Sequence, residues 1–225
     1  MTPSRKIQAA EVAIFLLLIV PSLVLSLFVI GQGQLSFLLV ATATIFRDVG
    51  LVCLILFFLW RNGEPVSCVG WTWRHPAREL IIGVVCFVPV FVGAALLERI
   101  LLRAGLSGSA TPLPSFLNAK GPAEGLLAVV LVTVVALAEE TIFRGYLLLR
   151  FLPILRSTTA SVLLSSAIFA VGHGYEGSAG LVTVGVMGAV FAVVYLWRGS
   201  LVAPIVMHFL QDFLSIVLLP AVGLK

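Results

Sequence analysis

Charge is what this chain has least of. Only 11% of its 225 residues are Asp, Glu, Lys or Arg. Soluble domains carry roughly a quarter, so the shortage excludes an ordinary soluble domain. The 14 Lys and Arg residues are scattered and the net charge is +4. No basic block exists, which argues against a nucleic-acid partner. Cysteine is scarce too. Cys53, Cys68 and Cys86 form neither a CxxC nor a paired framework, and packing is the role suggested for the two that lie in apolar runs. There is no internal repeat and no low-complexity segment. What fills the chain is apolar: 60% of residues are hydrophobic, gathered into long runs. Those runs predict an all-α, polytopic membrane helix bundle.

About seven transmembrane helices are expected: 11–30, 35–60, 79–102, 124–152, 157–173, 180–197 and 201–219. The first has a basic start, Arg5 and Lys6, and no small-residue cleavage site after its apolar run. It reads as an uncleaved signal anchor, kinked at Pro21. Gly31–Gln34 reads as a tight turn. Trp71 and Trp73, in the loop 61–78, have the composition of membrane-interface anchors. The Gly/Ser/Pro-rich loop 104–123 carries no motif. Residues 1–122 hold three spans and their loops, and 123–225 hold a four-helix core; together they form a single membrane domain. With the N-terminus inside, Arg5, Lys6, Arg61, Arg74, Arg78, Arg150, Arg156 and Arg198 are cytoplasmic, against Arg103, Lys120 and Lys225 outside. That asymmetry predicts a cytoplasmic N-terminus and an external C-terminus in the cell membrane.

Against this background a few polar residues stand out. Glu139, Glu140 and Arg144 interrupt the fourth apolar run, and charge at membrane depth is seldom kept without a reason. Glu140 and Arg144 are four residues apart. So are Phe169 and His173, and His208 and Asp212. That spacing puts each pair on one helix face. At ~1.5 Å per residue from the cytoplasmic ends, Glu139, His173, His208 and Asp212 lie roughly 17, 24, 12 and 18 Å deep. These depths are compatible with one polar site inside the bundle, opening to the cytoplasmic side.

The side chains suggest roles. Arg144 neutralises Glu140. Glu139, turned about 100° away, is left as a general base for water. His173 shares that water or serves the leaving group. His208 and Asp212 stabilise an oxyanion, with Asp212 fixing the tautomer of His208. No Ser or Cys completes a helix-borne nucleophile pattern with them. The same residues are also zinc-ligand types, with Glu139, His173 and His208 as the set, although HExxH is missing. Arg47 and Asp48 form a second intramembrane charge pair. Neighbours in sequence do not face each other on a helix, so each needs a partner from elsewhere. A proton relay in a transporter is another use of buried carboxylates and histidines.

Glu139-Glu140-xxx-Arg144, Phe169-xxx-His173 and His208-xxx-Asp212, in this order and each in its own apolar helix, resemble the motifs of the CPBP family. These are the CAAX-protease, Rce1-like or Abi intramembrane endopeptidases. The resemblance covers about residues 126–218 and makes 123–225 the CPBP-like core. It implies hydrolysis of a peptide bond in a membrane-anchored, hydrophobic-tailed or lipidated substrate. It also implies Glu139 as base, His173 beside it, His208 and Asp212 on the oxyanion side, and Phe169 shaping the substrate pocket. Where the family often has Asn, this chain has Asp212, an added charge that keeps a zinc-dependent version open. A non-catalytic bacteriocin-immunity protein would share the same motifs. Membrane lipid is the expected surrounding partner.

Overall fold

A computed structural model describes residues 3–26, 36–108 and 117–222. The described residues form seven helical rods. They are α1 (Arg5–Ser26), α2 (Phe37–Asn62), α3 (Pro76–Arg103), α4 (Gly121–Leu155), α5 (Thr158–Val171), α6 (Gly177–Arg198) and α7 (Val202–Ala221). The protein is an all-α, multi-pass membrane bundle. The expected turn at Gly31–Gln34, residues 109–116 of the long loop and Lys225 lie outside the described residues.

Five rods, α2, α3, α4, α6 and α7, are long and apolar enough to cross a membrane. The fifth apolar run is shorter than the others. α5 has 14 residues, or ~21 Å at 1.5 Å per residue, against a hydrocarbon core of ~30 Å. Ser157 starts it cleanly, its hydroxyl accepting from the Ala160 amide at 3.2 Å. A helix that begins at one membrane face and stops this early leaves its C-terminal residues at depth, and His173 follows directly. α1 continues through Pro21 as one helix.

Packing explains the order of the rods. The buried residues of α2 are Phe37, Ala41, Asp48, Leu51, Ile55, Phe58 and Leu59, a stripe at helical spacing. Its upper part packs with Ala128 and Leu131 of α4. Its lower part packs with Ile142, Phe143, Tyr146 and Leu147 of α4 and with Phe15 and Ile19 of α1. Both sequences advance together along the contact, so α2 and α4 are parallel. α3 packs on α6 and α7 through Phe87, Phe191, Ala203 and Met207. Gly83 makes this possible, since a Cβ there would lie 2.9 Å from the Ala203 carbonyl oxygen.

Two features of the rods bear on function. Within α4, Glu140–Leu147 is π-helical, and within α7 so is Phe213–Leu218. Wide turns of this kind are rare and concentrate at functional sites. Both stretches begin at or directly after a motif residue. The loop after α2 then buttresses the first of them. The Trp71 indole donates to the Thr141 hydroxyl at 3.0 Å, and Gly145 leaves room for the Val69 carbonyl. Of the two tryptophans expected as interface anchors, Trp73 is exposed, while Trp71 is half-buried and bonded to the site helix.

Candidate active site

Glu140 and Arg144 are fully buried on α4. The Arg144 Nη1 donates to Glu140 Oε1 at 2.9 Å. The same oxygen accepts from His208 Nδ1 of α7 at 2.8 Å. Because a carboxylate only accepts, this bond puts a proton on Nδ1. The spacing gave that orienting role to Asp212, one turn along α7; the structure gives it to Glu140, from a different helix. Asp212 Oδ2 instead stands 3.5 Å from His208 Nε2. Glu139 Oε2 stands 3.8 Å from the same nitrogen. It is buried without a hydrogen-bond partner among the described residues, as are Glu140 Oε2 and Arg144 Nη2.

His173 is half-buried in the turn after α5. Its Nδ1 lies 3.2 Å from the Phe169 carbonyl oxygen, and a carbonyl only accepts. Nδ1 therefore donates and Nε2 is the nitrogen left for other work. Phe169 joins the pieces. The Arg144 guanidinium lies 4.3 Å over its ring. The rings of His173 and His208 lie 4.8 and 6.0 Å from it. Such contacts hold a guanidinium flat while adding ~0.5–2 kcal/mol. Gly188 of α6 clears the space behind, where a Cβ would meet Phe169 at 3.1 Å and Arg144 at 3.2 Å. The Ser165 hydroxyl of α5 donates to the Phe143 carbonyl at 2.7 Å, binding α5 to the π-helical stretch.

The structure thus brings Glu140, Arg144, Phe169 and His208 into one contact network, with Glu139, His173 and Asp212 at its edge. It also adds residues the motifs omit. Tyr175 lies with its ring 6.1 Å from His173 and interacts electrostatically with Glu139 and Asp212. Glu176 does so with His173 and Asp212. Their closeness in sequence to His173 was the available signal. Asp48 of α2 is 1% exposed and interacts with the charges of Glu139 and His208. His75, by contrast, lines a separate cavity with Thr72, Arg74, Glu79 and Arg198.

The zinc set fares differently. Among the described residues, no three or more His, Cys, Asp or Glu side chains are gathered to hold one metal ion. Glu139, His173 and His208 therefore do not form a ligand set, and no chemistry is routed through a metal here.

Residues 121–214 match the family model for type II CAAX prenyl endopeptidase Rce1-like proteins. Over that segment, less than half of the chain, the protein is similar to this family. The match takes in α4, α5, α6 and most of α7, and with them all three motifs. The description of that family is an endopeptidase's, and it is a property of the family matched. Searches of the curated proteins and of the solved structures return no match to the chain.

Proposed function

We propose that this protein is an intramembrane endopeptidase that hydrolyses a peptide bond in a membrane-anchored or lipidated substrate tail, with a water activated by Glu139 and His173. One observation carries the reading. Of two adjacent carboxylates, Glu140 is held by Arg144 and His208, while Glu139 keeps a buried oxygen with no hydrogen-bond partner among the described residues, 3.8 Å from His208 Nε2. A buried acceptor without a donor costs about 1–3 kcal/mol, a cost that a bound water and substrate would relieve.

In this mechanism Glu139 takes the proton from water, and the hydroxide attacks the scissile carbonyl. His173, with Nδ1 anchored on Phe169, accepts at Nε2 from the attacking water, and Glu139 then passes the proton it took to the departing amine. His208 in its doubly protonated form donates from Nδ1 to Glu140 and from Nε2 toward the oxyanion, with Asp212 alongside. Glu140 and Arg144 hold His208 in place. The buried setting supports a substrate that enters as an apolar or lipid-bearing tail. The N-terminus is proposed to be cytoplasmic, with the catalytic unit at 123–225.

The test is processing of membrane-anchored reporter proteins in cells and in proteoliposomes. The wild type should release the tail, and Glu139→Ala and His173→Ala should each abolish release. Wild-type processing in both variants would sink the proposal. Full inhibition by a chelator, reversed by zinc, would replace the glutamate mechanism with a metal one.

A further inference from the structure

We propose that Asp48, braced by Arg47, is a positioning residue for the Glu139 carboxylate, supplied by α2 from outside the Rce1-like segment. The proposal rests on the protease reading above and extends it to a residue that belongs to none of the three motifs.

The packing of α2 on α4 carries the argument. Phe37 and Ala41 of α2 meet Ala128 and Leu131 of α4 in one apolar cluster. Leu51, Ile55, Phe58 and Leu59 meet Ile142, Phe143, Tyr146 and Leu147 in a second. On α2 the buried residue between the two clusters is Asp48. On α4 the carboxylates between them are Glu139 and Glu140. Parallel helices in register therefore set Asp48 beside the paired glutamates. Its position in the stripe, seven residues after Ala41 and three before Leu51, points it at α4 and away from lipid.

The Asp48 carboxylate is half satisfied. Against the expectation that each needs a partner from elsewhere, the long arginine side chain reaches back to its neighbour: Arg47 Nε donates to Oδ1 at 2.8 Å, with the arginine side chain 40% exposed and the aspartate 1%. Asp48 Oδ2 is buried with no hydrogen-bond partner among the described residues, as is Glu139 Oε2. Glu140 is the carboxylate already tied down, so Glu139 is the one with an orientation still to be set. Buried polar groups demand partners. A water held between Asp48 Oδ2 and Glu139 Oε2 would satisfy both and fix the rotamer of Glu139. Arg47 supplies the cation that makes a third carboxylate tolerable at this place.

Partners behind a catalytic group are worth about 10–100-fold when removed. Purified full-length protein in proteoliposomes, with a membrane-anchored reporter, should show Asp48→Asn lowering kcat by about that factor with KM near wild type. Asp48→Glu should recover part of the loss, and the melting temperature of both should stay near wild type. A second readout does not need activity. The rate at which a hydrophobic carbodiimide modifies Glu139, followed by mass spectrometry, should change several-fold in Asp48→Asn. If that rate equals wild type, or if kcat is unchanged, the proposal is overturned. If Glu139 labelling changes while the wild type cleaves nothing, the protease reading fails and the Asp48–Glu139 contact stands. Should Asp48→Asn fail to fold, Arg47→Gln takes its place, leaving the carboxyl and removing its brace, with the same two readouts.

Discussion

Helix α4 carries two buried arginines six residues apart, and they live in opposite circumstances. Arg150 sits in a closed ion network that ties three parts of the chain together. It donates from both terminal nitrogens to Glu64, at 2.9 and 2.5 Å, and reaches Glu11 of α1 at 3.2 Å. Glu11 is also held by Arg61 at 2.5 Å and Asn62 at 2.7 Å. There the carboxylates have donors, although Arg150 Nε itself has no partner among the described residues. Around Arg144 they are not saturated: Glu139 and Glu140 each keep a buried oxygen without a partner among the described residues. Saturated charge is what a fold uses to fasten helices. Unsaturated charge in a buried setting is held at a cost, one that the reaction proposed above would account for. The two clusters look alike in sequence, and the difference lies in how many donors surround each carboxylate.

The largest effect that would sharpen the contrast is at Glu139. Its oxygen has no partner to lose, so Glu139→Gln should leave the melting temperature in detergent within a few degrees of wild type or raise it. Cleavage should fall by about 100–10,000-fold, the range of general-base catalysis. A variant that unfolds instead would move Glu139 into the fastening class. The reverse holds at Arg150. Arg150→Met strips Glu64 of its two-pronged donor and leaves Glu11 to Arg61 and Asn62, and breaking a buried pair costs about 3–5 kcal/mol. Thermal unfolding should report that loss, while the kcat of the remaining folded fraction stays close to wild type.

Glu140 and Arg144 stand between these extremes. Arg144→Met alone should destabilise by a similar few kcal/mol, because it leaves Glu140 with His208 as its remaining donor. Adding Glu140→Gln should recover much of that stability without recovering cleavage, since His208 would have lost its carboxylate anchor. A double variant that restores both would reduce the pair to fastening alone.

How far the sequence carried this picture can be judged from the same residues. Charge scarcity and apolar runs placed seven rods in the right order, since burial in lipid leaves helices as the available option. The i,i+4 pairs on α4 and α7 were legible because helical periodicity is local. Three things were not legible. One is the π-helical stretch Glu140–Leu147, set by the packing of α5 and the Trp71 loop. Another is the partner of His208, a residue 68 positions away, which spacing along α7 could not reveal. The third is Arg150, counted among loop charges by its place near a helix end and found buried at 1% exposure. Each depends on which helix stands opposite, and that is fixed by tertiary packing. Asp48 falls between: its stripe was readable, but its neighbours were not.

The smallest expected effect is at the wall that α6 sets behind Phe169 and Arg144. Gly188 of α6 has a hydrogen where any other residue would place a methyl group against Phe169 and Arg144. Gly188→Ala forces both to give by a few tenths of an ångström. Overpacking of this size costs about 1–3 kcal/mol at most, partly offset because alanine favours a helix by up to ~1 kcal/mol over glycine. Net stability should therefore change little. What should change is the seat of the guanidinium over the Phe169 ring, and through Glu140 the orientation of His208. The expectation is a several-fold drop in kcat with an almost unmoved melting temperature. Loss of stability with unchanged kcat would show that this wall serves packing, and that the geometry around Arg144 is less finely set than its unsatisfied Nη2 implies.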